Sequence, residues 1–165
     1  MGGDMAGQLG GFSFQAGLWR VRHRKLRERL AGCDEWLRFD GTCRAWDVLG
    51  GAGNVEDNVL NDPAGAYRAM AVRRIDPETG DWTIHWFDDR FSTLDPPVRG
   101  RFADGVGAFL AEDVFRGRPI LVRFIWSRTK TSTPRWEQAF SDDAGANWET
   151  NWIMDFERVA HAGGE

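Results

Sequence analysis

A compact polar turn between two aromatic segments is the feature that most constrains the fold of this chain. Ser141-Asp-Asp-Ala-Gly-Ala-Asn-Trp148 lies between Trp136-Glu-Gln-Ala-Phe140 and Trp148-Glu-Thr-Asn-Trp152. Aromatic residues at alternate positions share one face of a strand, and Asp, Gly and Asn accept the backbone angles of a tight turn. The segment therefore predicts an antiparallel hairpin with its aromatic side chains on one face.

The same arrangement recurs along the chain. Asp76-Pro-Glu-Thr-Gly80 precedes a stretch in which Trp82, Ile84 and Trp86 alternate. Turn signals at regular short spacing indicate an all-β sandwich or barrel. The predicted strands are 17–26, 36–48, 54–60, 66–75, 82–89, 98–102, 108–115, 120–128, 135–140 and 148–158.

An open sheet of so many antiparallel strands would expose two edges, and closing the sheet removes both. We therefore predict an all-β, antiparallel up-and-down closed barrel of about ten strands. A barrel of that width is not filled solid by side chains, so its interior retains a pocket.

Length and composition fit one domain. The chain has 165 residues, of which 42% are hydrophobic, enough to bury a substantial core. We expect a single barrel domain over 12–159, preceded by a flexible glycine-rich arm over 1–11 and followed by a flexible tail over 160–165.

Charge, hydropathy and cysteine content restrict the partners and the compartment. The formal charge of -4 argues against a nucleic-acid binder, and the alternating Arg20, Arg22 and Arg24 are typical of a solvated strand face. No apolar run is long enough for a membrane span, and the start lacks the pattern of a secretory signal. Cys33 and Cys43 are not spaced as a zinc or redox motif, so we expect free thiols and a cytoplasmic protein.

Three sets of motifs carry a resemblance to a known family. They are Gly17-Leu-Trp19, then Tyr67-Arg-Ala-Met with Asp76-Pro-Glu-Thr-Gly-Asp-Trp82, and Val122-Arg-Phe-Ile-Trp126 with the hairpin around Ser141. The chain resembles the lipocalin-like, or calycin, superfamily of up-and-down β-barrels, and within it most of all a bacterial family of uncharacterised proteins, a domain of unknown function. The resemblance spans 12–158 and implies a barrel with Trp19 plugging one end. It implies no single activity, because families that share this barrel differ in what they bind.

The tryptophans of the predicted strands are the main candidates for a binding site. An indole ring can stack on a ligand while its N–H donates to a polar atom, although filling the core is the alternative role. Arg123 lies within the apolar stretch 120–126, and we expect it to face the lumen beside Trp136 or Gln138. There it would bind an anionic group of a ligand, unless Glu137 or Glu112 neutralises it.

His85 lies between Ile84 and Trp86, and Tyr67 is the only tyrosine. An imidazole in the lumen can act as an acid or base, with a hydrogen-bonded structural role as the alternative. No second histidine lies at ligand spacing, and no nucleophile elbow, phosphate loop or dinucleotide motif is present, so we predict no catalytic residue, metal or cofactor. The predicted ligand-binding residues are Tyr67, His85, Trp86, Arg123, Trp126, Trp136, Gln138 and Trp152.

These observations favour a binding protein that holds a small apolar or amphipathic molecule in the barrel lumen, with an anionic ligand as one option. One alternative is an enzyme in which a lumen His85 or Glu137 is the general base and Arg123 stabilises an anion. A second alternative is an interaction module, or a homodimer formed through exposed strand aromatics, without a lumen ligand.

Overall fold

A computed structural model describes residues 11–159, so residues 1–10 of the predicted arm over 1–11 and the predicted tail over 160–165 lie outside that range. The described chain forms a closed barrel of ten antiparallel strands, which confirms the predicted fold class. Two short 3-10 helices accompany the strands, Phe12–Gln15 before the first strand and Leu49–Gly51 after the second. The strands are β1 (Gly17–Leu26), β2 (Trp36–Val48), β3 (Gly53–Leu60), β4 (Tyr67–Ile75), β5 (Trp82–Asp88), β6 (Val98–Ala103), β7 (Val106–Phe115), β8 (Arg118–Ser127), β9 (Arg135–Ser141) and β10 (Glu149–Arg158).

Each strand pairs with its neighbours in the sequence, and β1 pairs with β10 to close the sheet. The closing register places Lys25 opposite Trp152 and Trp19 opposite Arg158. Because the side chains of a strand alternate between two faces, one register fixes which residues of the whole sheet point inward. On β1 the inward set is Trp19, Val21, His23 and Lys25, and all four are buried.

A β-bulge in β10 changes the expected alternation of the aromatic hairpin. The pairing of β10 with β9 shifts between Thr150 and Trp152. Trp152 is therefore buried in the barrel, whereas Trp148 lies outside it against the guanidinium of Arg123, 4.2 Å from the ring centroid. The prediction that Trp148 and Trp152 share one face is wrong, because an extra residue in one strand reverses the parity.

Aromatic side chains close one end of the barrel, which we call the floor. Phe12 of the first 3-10 helix packs edge-on against Trp82, Phe102 and Trp126, with ring centroids 5.1, 4.9 and 6.1 Å away. Trp19 is also buried at this end and packs edge-on against Phe156. Edge-to-face packing of large rings excludes water, so the helix seals the barrel beneath β1.

A buried polar cluster fixes this helix to the barrel wall. The Arg73 guanidinium on β4 donates to the Glu56 carboxylate on β3 and to the Gln15 and Asn54 side-chain oxygens. Gln15 in turn donates to Glu56 over 2.6 Å. A buried charge is tolerated only when paired and hydrogen-bonded, so these groups hold one another in a single arrangement.

Among residues 11–159, no helix is long and apolar enough to cross a membrane.

Candidate ligand-binding site

The barrel opens at the end opposite the floor into a cavity of about 350 Å³, which we call the pocket. Its walls come from the last residues of β1, β5, β7 and β9 and from the first residues of β6, β8 and β10. The pocket is lined by Lys25, Arg29, Ile84, Trp86, Asp88, Arg90, Phe91, Thr93, Asp95, Pro96, Val98, Asp113, Val114, Phe115, Ile120, Val122, Phe124, Trp136, Gln138, Phe140 and Trp152.

Three tryptophans form the aromatic wall of the pocket. Trp152 packs perpendicular to both Trp86 and Trp136, with ring centroids 5.8 and 5.1 Å apart. Phe124 packs edge-on against Trp136 at 4.9 Å. Edge-to-face contacts between rings are favourable, so the wall is already packed without a ligand.

His23 holds Trp152 from behind the wall. The Trp152 indole N–H donates to Nδ1 of His23 over 3.1 Å, and the imidazole stacks on Phe39 with its plane tilted by only 6°. Burial, with a smaller contribution from Lys25, lowers the pKa of His23 from 6.5 to about 3. The imidazole is therefore neutral and can accept the hydrogen bond, because a protonated imidazole has no free lone pair.

Lys25 places a cation over the same tryptophan. Its ammonium lies 3.9 Å from the Trp152 ring centroid and donates to the Tyr67 hydroxyl over 2.7 Å, with Asp62 at 3.7 Å. Burial, and next the nearby charge of Arg29, lowers the pKa of Lys25 from 10.5 to about 8. Burial also raises the pKa of Tyr67, so the phenol stays protonated.

Arg29 is a cation that the described residues leave without an ion pair. It follows β1, lines the pocket, and places its guanidinium carbon 5.3 Å from the Phe140 ring centroid. Arg29 is half-buried, and burial lowers its pKa below the ordinary value, while the nearby charges of Asp95 and Glu149 oppose that shift without forming an ion pair. Arg90, by contrast, is neutralised by the Asp88 carboxylate, to which it donates over 2.9 and 2.8 Å.

Two further carboxylates lie at the rim of the pocket. Asp95 belongs to the segment before β6, and Asp113 is on β7. Burial, followed by the charges of Asp113 and Asp88, raises the pKa of Asp95. The rim is therefore acidic, while the cations Lys25 and Arg29 come from the β1 side.

The structure brings several predicted site residues together. Trp86, Trp136, Gln138 and Trp152 line the pocket, and Tyr67 is buried next to it through its hydrogen bond with Lys25. Trp126 is buried deeper, between the pocket and the floor aromatics. The Gln138 amide is already engaged with the Asn151 side chain over 2.9 Å.

Two predicted lumen residues lie outside the barrel instead. His85 is exposed on the outer face of β5, stacked on Phe87. Arg123 alternates with the inward Val122 and Phe124, pairs with Ala139 rather than Trp136 or Gln138, and covers Trp148. Their predicted lumen positions are wrong, because neighbouring strand residues face opposite sides and the inward face belongs to the larger apolar set.

The same geometry places the residues required by the enzyme alternative outside the lumen. Glu137 lies between the inward Trp136 and Gln138 and therefore points outward, as does His85. A general base must lie within hydrogen-bond reach of the reacting group. Neither residue reaches the pocket, so the proposed pairing of His85 or Glu137 with Arg123 does not exist.

Lys25 and Arg29 were missed by the sequence analysis. Lys25 continues the inward series of Trp19, Val21 and His23, and that alternation could have identified it. Arg29 lies beyond the strand, where no periodicity applies, and only the fold of the segment places it over Phe140.

Among residues 11–159, no group of three or more His, Cys, Asp or Glu side chains is arranged to hold a metal ion. In comparisons with known proteins, the chain matches no protein-family model and no curated protein.

Proposed function

We propose that the protein binds a small amphipathic anion, with the apolar part of the ligand between the tryptophans of the pocket and its anionic group against Arg29. The observation that carries this proposal is the position of Arg29 in the pocket, with its charge partly desolvated and no ion pair among the described residues. The proposal further includes membership of the lipocalin-like superfamily, which the closed barrel and the buried Trp19 support.

The charge argument starts from the cost of desolvation. A guanidinium removed from water without a carboxylate loses solvation energy that only an anion restores. The guanidinium carbon of Arg29 lies 5.3 Å from the Phe140 ring centroid, and this contact is not an ion pair, so its N–H groups remain for a ligand. A carboxylate suits this donor because it accepts two parallel hydrogen bonds from one guanidinium.

The apolar argument rests on the shape and composition of the pocket. A cavity of about 350 Å³ falls in the size range of small-molecule sites. Its deeper walls consist of aromatic and branched aliphatic side chains, among them Trp86, Val122 and Trp152. An alkyl chain or aromatic ring transferred into these walls gains roughly 25 cal/mol for each Å² of apolar surface removed from water.

Three probes of equal chain length and different head group test the proposal. We expect decanoate to quench or shift the tryptophan fluorescence at lower concentration than decanol, and decanol at lower concentration than decylamine. Asp95 and Asp113 make the rim of the pocket acidic and would attract a cationic head group, so decylamine tests the opposite charge preference. Tighter binding of decylamine than of decanoate would assign the opposite charge to the ligand, and no binding of any probe would remove the proposal.

Arg29→Gln should weaken decanoate binding about tenfold or more, because it removes a charge-assisted hydrogen bond while keeping a polar side chain. Decanol binding should be nearly unchanged. The matched control is Arg27→Gln, whose exposed guanidinium is paired with Glu35 at 3.1 Å. Equal losses for the two variants would show that general surface charge, and not the pocket, attracts the anion.

A further inference from the structure

Among the described residues that line the pocket, Lys25 carries the only amine. The chain contains two lysines among its 21 basic side chains, and the other, Lys130, is exposed in the turn after β8. Lys25 faces the lumen, and 10% of its side-chain surface is exposed. A guanidinium stays protonated, whereas an ammonium can lose a proton and become a nucleophile. Lys25 is therefore the pocket cation that is capable of covalent chemistry.

An aromatic cage surrounds the ammonium of Lys25. Its Nζ lies 3.9 Å from the ring centroid of Trp152, 5.1 Å from that of Tyr67 and 5.7 Å from that of Phe39. These rings displace water from the nitrogen, and desolvation favours the neutral amine. Each ring face also attracts whichever cation occupies the position. The cage therefore tolerates both a free amine and a positively charged product at the same nitrogen.

The charges around Nζ add to the effect of the cage. Burial is the main reason that the pKa of Lys25 falls to about 8, and the charge of Arg29 lowers it further. Asp62, 3.7 Å away, and Asp88 oppose the shift, while Arg90 adds to it. At pH 7 roughly one such amine in ten is free, compared with fewer than about one in a thousand for an ordinary lysine.

The hydroxyl of Tyr67 lies 2.7 Å from Nζ of Lys25. Burial raises the pKa of Tyr67, so the phenol keeps its proton. A hydroxyl can accept a hydrogen bond from the ammonium, and it can donate one when the amine is neutral. A hydrogen-bond donor is therefore next to any carbonyl oxygen that reaches the amine.

We propose that the protein binds apolar aldehydes covalently, as a Schiff base with Nζ of Lys25 inside the pocket. The ammonium first loses a proton, and the neutral amine attacks the carbonyl carbon to form a C–N bond. A proton passes from nitrogen to the carbonyl oxygen, which gives a carbinolamine. Uptake of one proton and loss of water then leave an iminium cation. Ammonium and aldehyde thus become iminium and water, and no oxidant or reductant is needed.

This product suits the surroundings of Lys25 because the positive charge stays at the same nitrogen. The iminium remains over the Trp152 ring and near the Asp62 carboxylate, whose side chain is only 9% exposed. Acylation of Lys25 would instead remove the cation and leave a buried carboxylate without it, which is costly. The apolar part of the aldehyde contacts pocket walls such as Trp86 and Val122. The covalent bond goes beyond the proposed function, because it requires neither an anionic ligand nor a contact with Arg29.

Reductive trapping measures Schiff-base formation at each amine. The protein is mixed with octanal and sodium cyanoborohydride at pH 7, and mass spectrometry of chymotryptic peptides separates Lys25, Lys130 and the α-amino group. We expect octanal to alkylate Lys25 at least about tenfold faster than Lys130, because more of its amine is free and its surroundings are apolar. Glyceraldehyde has no alkyl chain to bury, so it should lower the ratio of the two rates about fivefold or more.

Three variants locate the chemistry. Lys25→Met removes the amine and keeps much of the apolar stem, so octanal should alkylate Lys130 but leave no adduct in the pocket. Lys130→Met is the matched control and should leave alkylation of Lys25 unchanged. Tyr67→Phe keeps the ring but removes the hydroxyl, and it should slow alkylation of Lys25 about fivefold, the value of one hydrogen bond. Thermal unfolding followed by circular dichroism verifies that the variants are folded.

The outcomes separate this proposal from the proposed function. Faster alkylation of Lys25 than of Lys130 by octanal, with a smaller ratio for glyceraldehyde, supports the Schiff base. Equal rates at the two lysines, or no adduct at Lys25, overturn it and leave anion binding to be decided by the decanoate titration. The same ratio for both aldehydes overturns the preference for an apolar ligand. All of these rates are compared within the unaltered protein, so they decide the question even where a variant fails to fold.

Discussion

His23 shows how burial fixes the protonation state of a single residue. Its Nδ1 accepts the indole N–H of Trp152, and its ring stacks on Phe39 inside the barrel. Burial lowers its pKa to about 3, while the unfolded chain titrates near 6.5. Between these two pH values the unfolded state binds more protons than the folded state, so stability falls as the pH decreases from 6.5 towards 3.

His23→Gln should flatten this dependence on pH. The glutamine amide oxygen can still accept the Trp152 hydrogen bond, but it does not titrate. The contribution lost is at most about 1.4 kcal/mol per pH unit between pH 6.5 and 3, the value for one proton. Denaturant unfolding at several pH values measures the slope, with His85→Gln at an exposed imidazole as the control. Parallel slopes for the unaltered protein and His23→Gln would contradict the assignment.

At the scale of the element, the face that a strand turns inward decides which of its residues can touch a ligand. On β8 the inward residues are Ile120, Val122, Phe124 and Trp126, and Arg123 faces outward between them. Its guanidinium covers Trp148 of the hairpin that joins β9 to β10. Arg123, which was predicted to bind an anion in the lumen, therefore attaches an outer loop to the barrel wall.

Arg123→Met tests this assignment of the β8 face. We expect the affinity for decanoate to be unchanged, because the side chain does not reach the pocket. The free energy of unfolding should decrease by about 0.5–1 kcal/mol, the usual value of a cation–π contact at the surface. The decanoate titration and a urea unfolding curve measure the two effects, and a loss of decanoate affinity comparable with that of Arg29→Gln would reverse the conclusion.

At the scale of the whole molecule, the barrel divides into a sealed floor and an open pocket. The floor combines the first 3-10 helix, the aromatic side chains around Trp82 and the ion pair between Arg73 and Glu56. Removal of one partner of a buried ion pair leaves an unpaired charge, whereas exposed pairs contribute little. Mutations in the floor should therefore lower the free energy of unfolding far more than mutations on the outer wall.

Glu56→Gln should reduce the free energy of unfolding by about 3–5 kcal/mol, because it leaves the Arg73 charge buried without a counter-charge. Asp57→Asn, at the next residue of β3, breaks the exposed pair with Arg68 and should cost about 1 kcal/mol or less. Urea denaturation compares the two variants. The double variant Glu56→Leu with Arg73→Met should recover much of the loss, and similar costs for Glu56→Gln and Asp57→Asn would show that the ion pair does not stabilise the floor.

The sequence by itself determined the barrel and most of its strand boundaries. Alternating aromatic residues and the turn residues between them are local signals, since the side-chain period of a strand and the backbone angles of a turn depend on near neighbours in the chain. The same signals identified Trp86, Trp136, Gln138 and Trp152 as wall residues of the pocket.

Only the tertiary structure decided which polar residues enter the lumen. The predicted ligand-binding residues came from both faces of β5 and β8, and closure of the barrel turned the larger apolar set inward and left His85 and Arg123 outside. The bulge in β10 reversed the parity of Trp152 relative to Trp148, and such a bulge has no local signature in this hairpin. Arg29, Arg73 and Glu56 acquired their surroundings from distant segments, because burial and ion pairing depend on contacts that form only when the barrel closes.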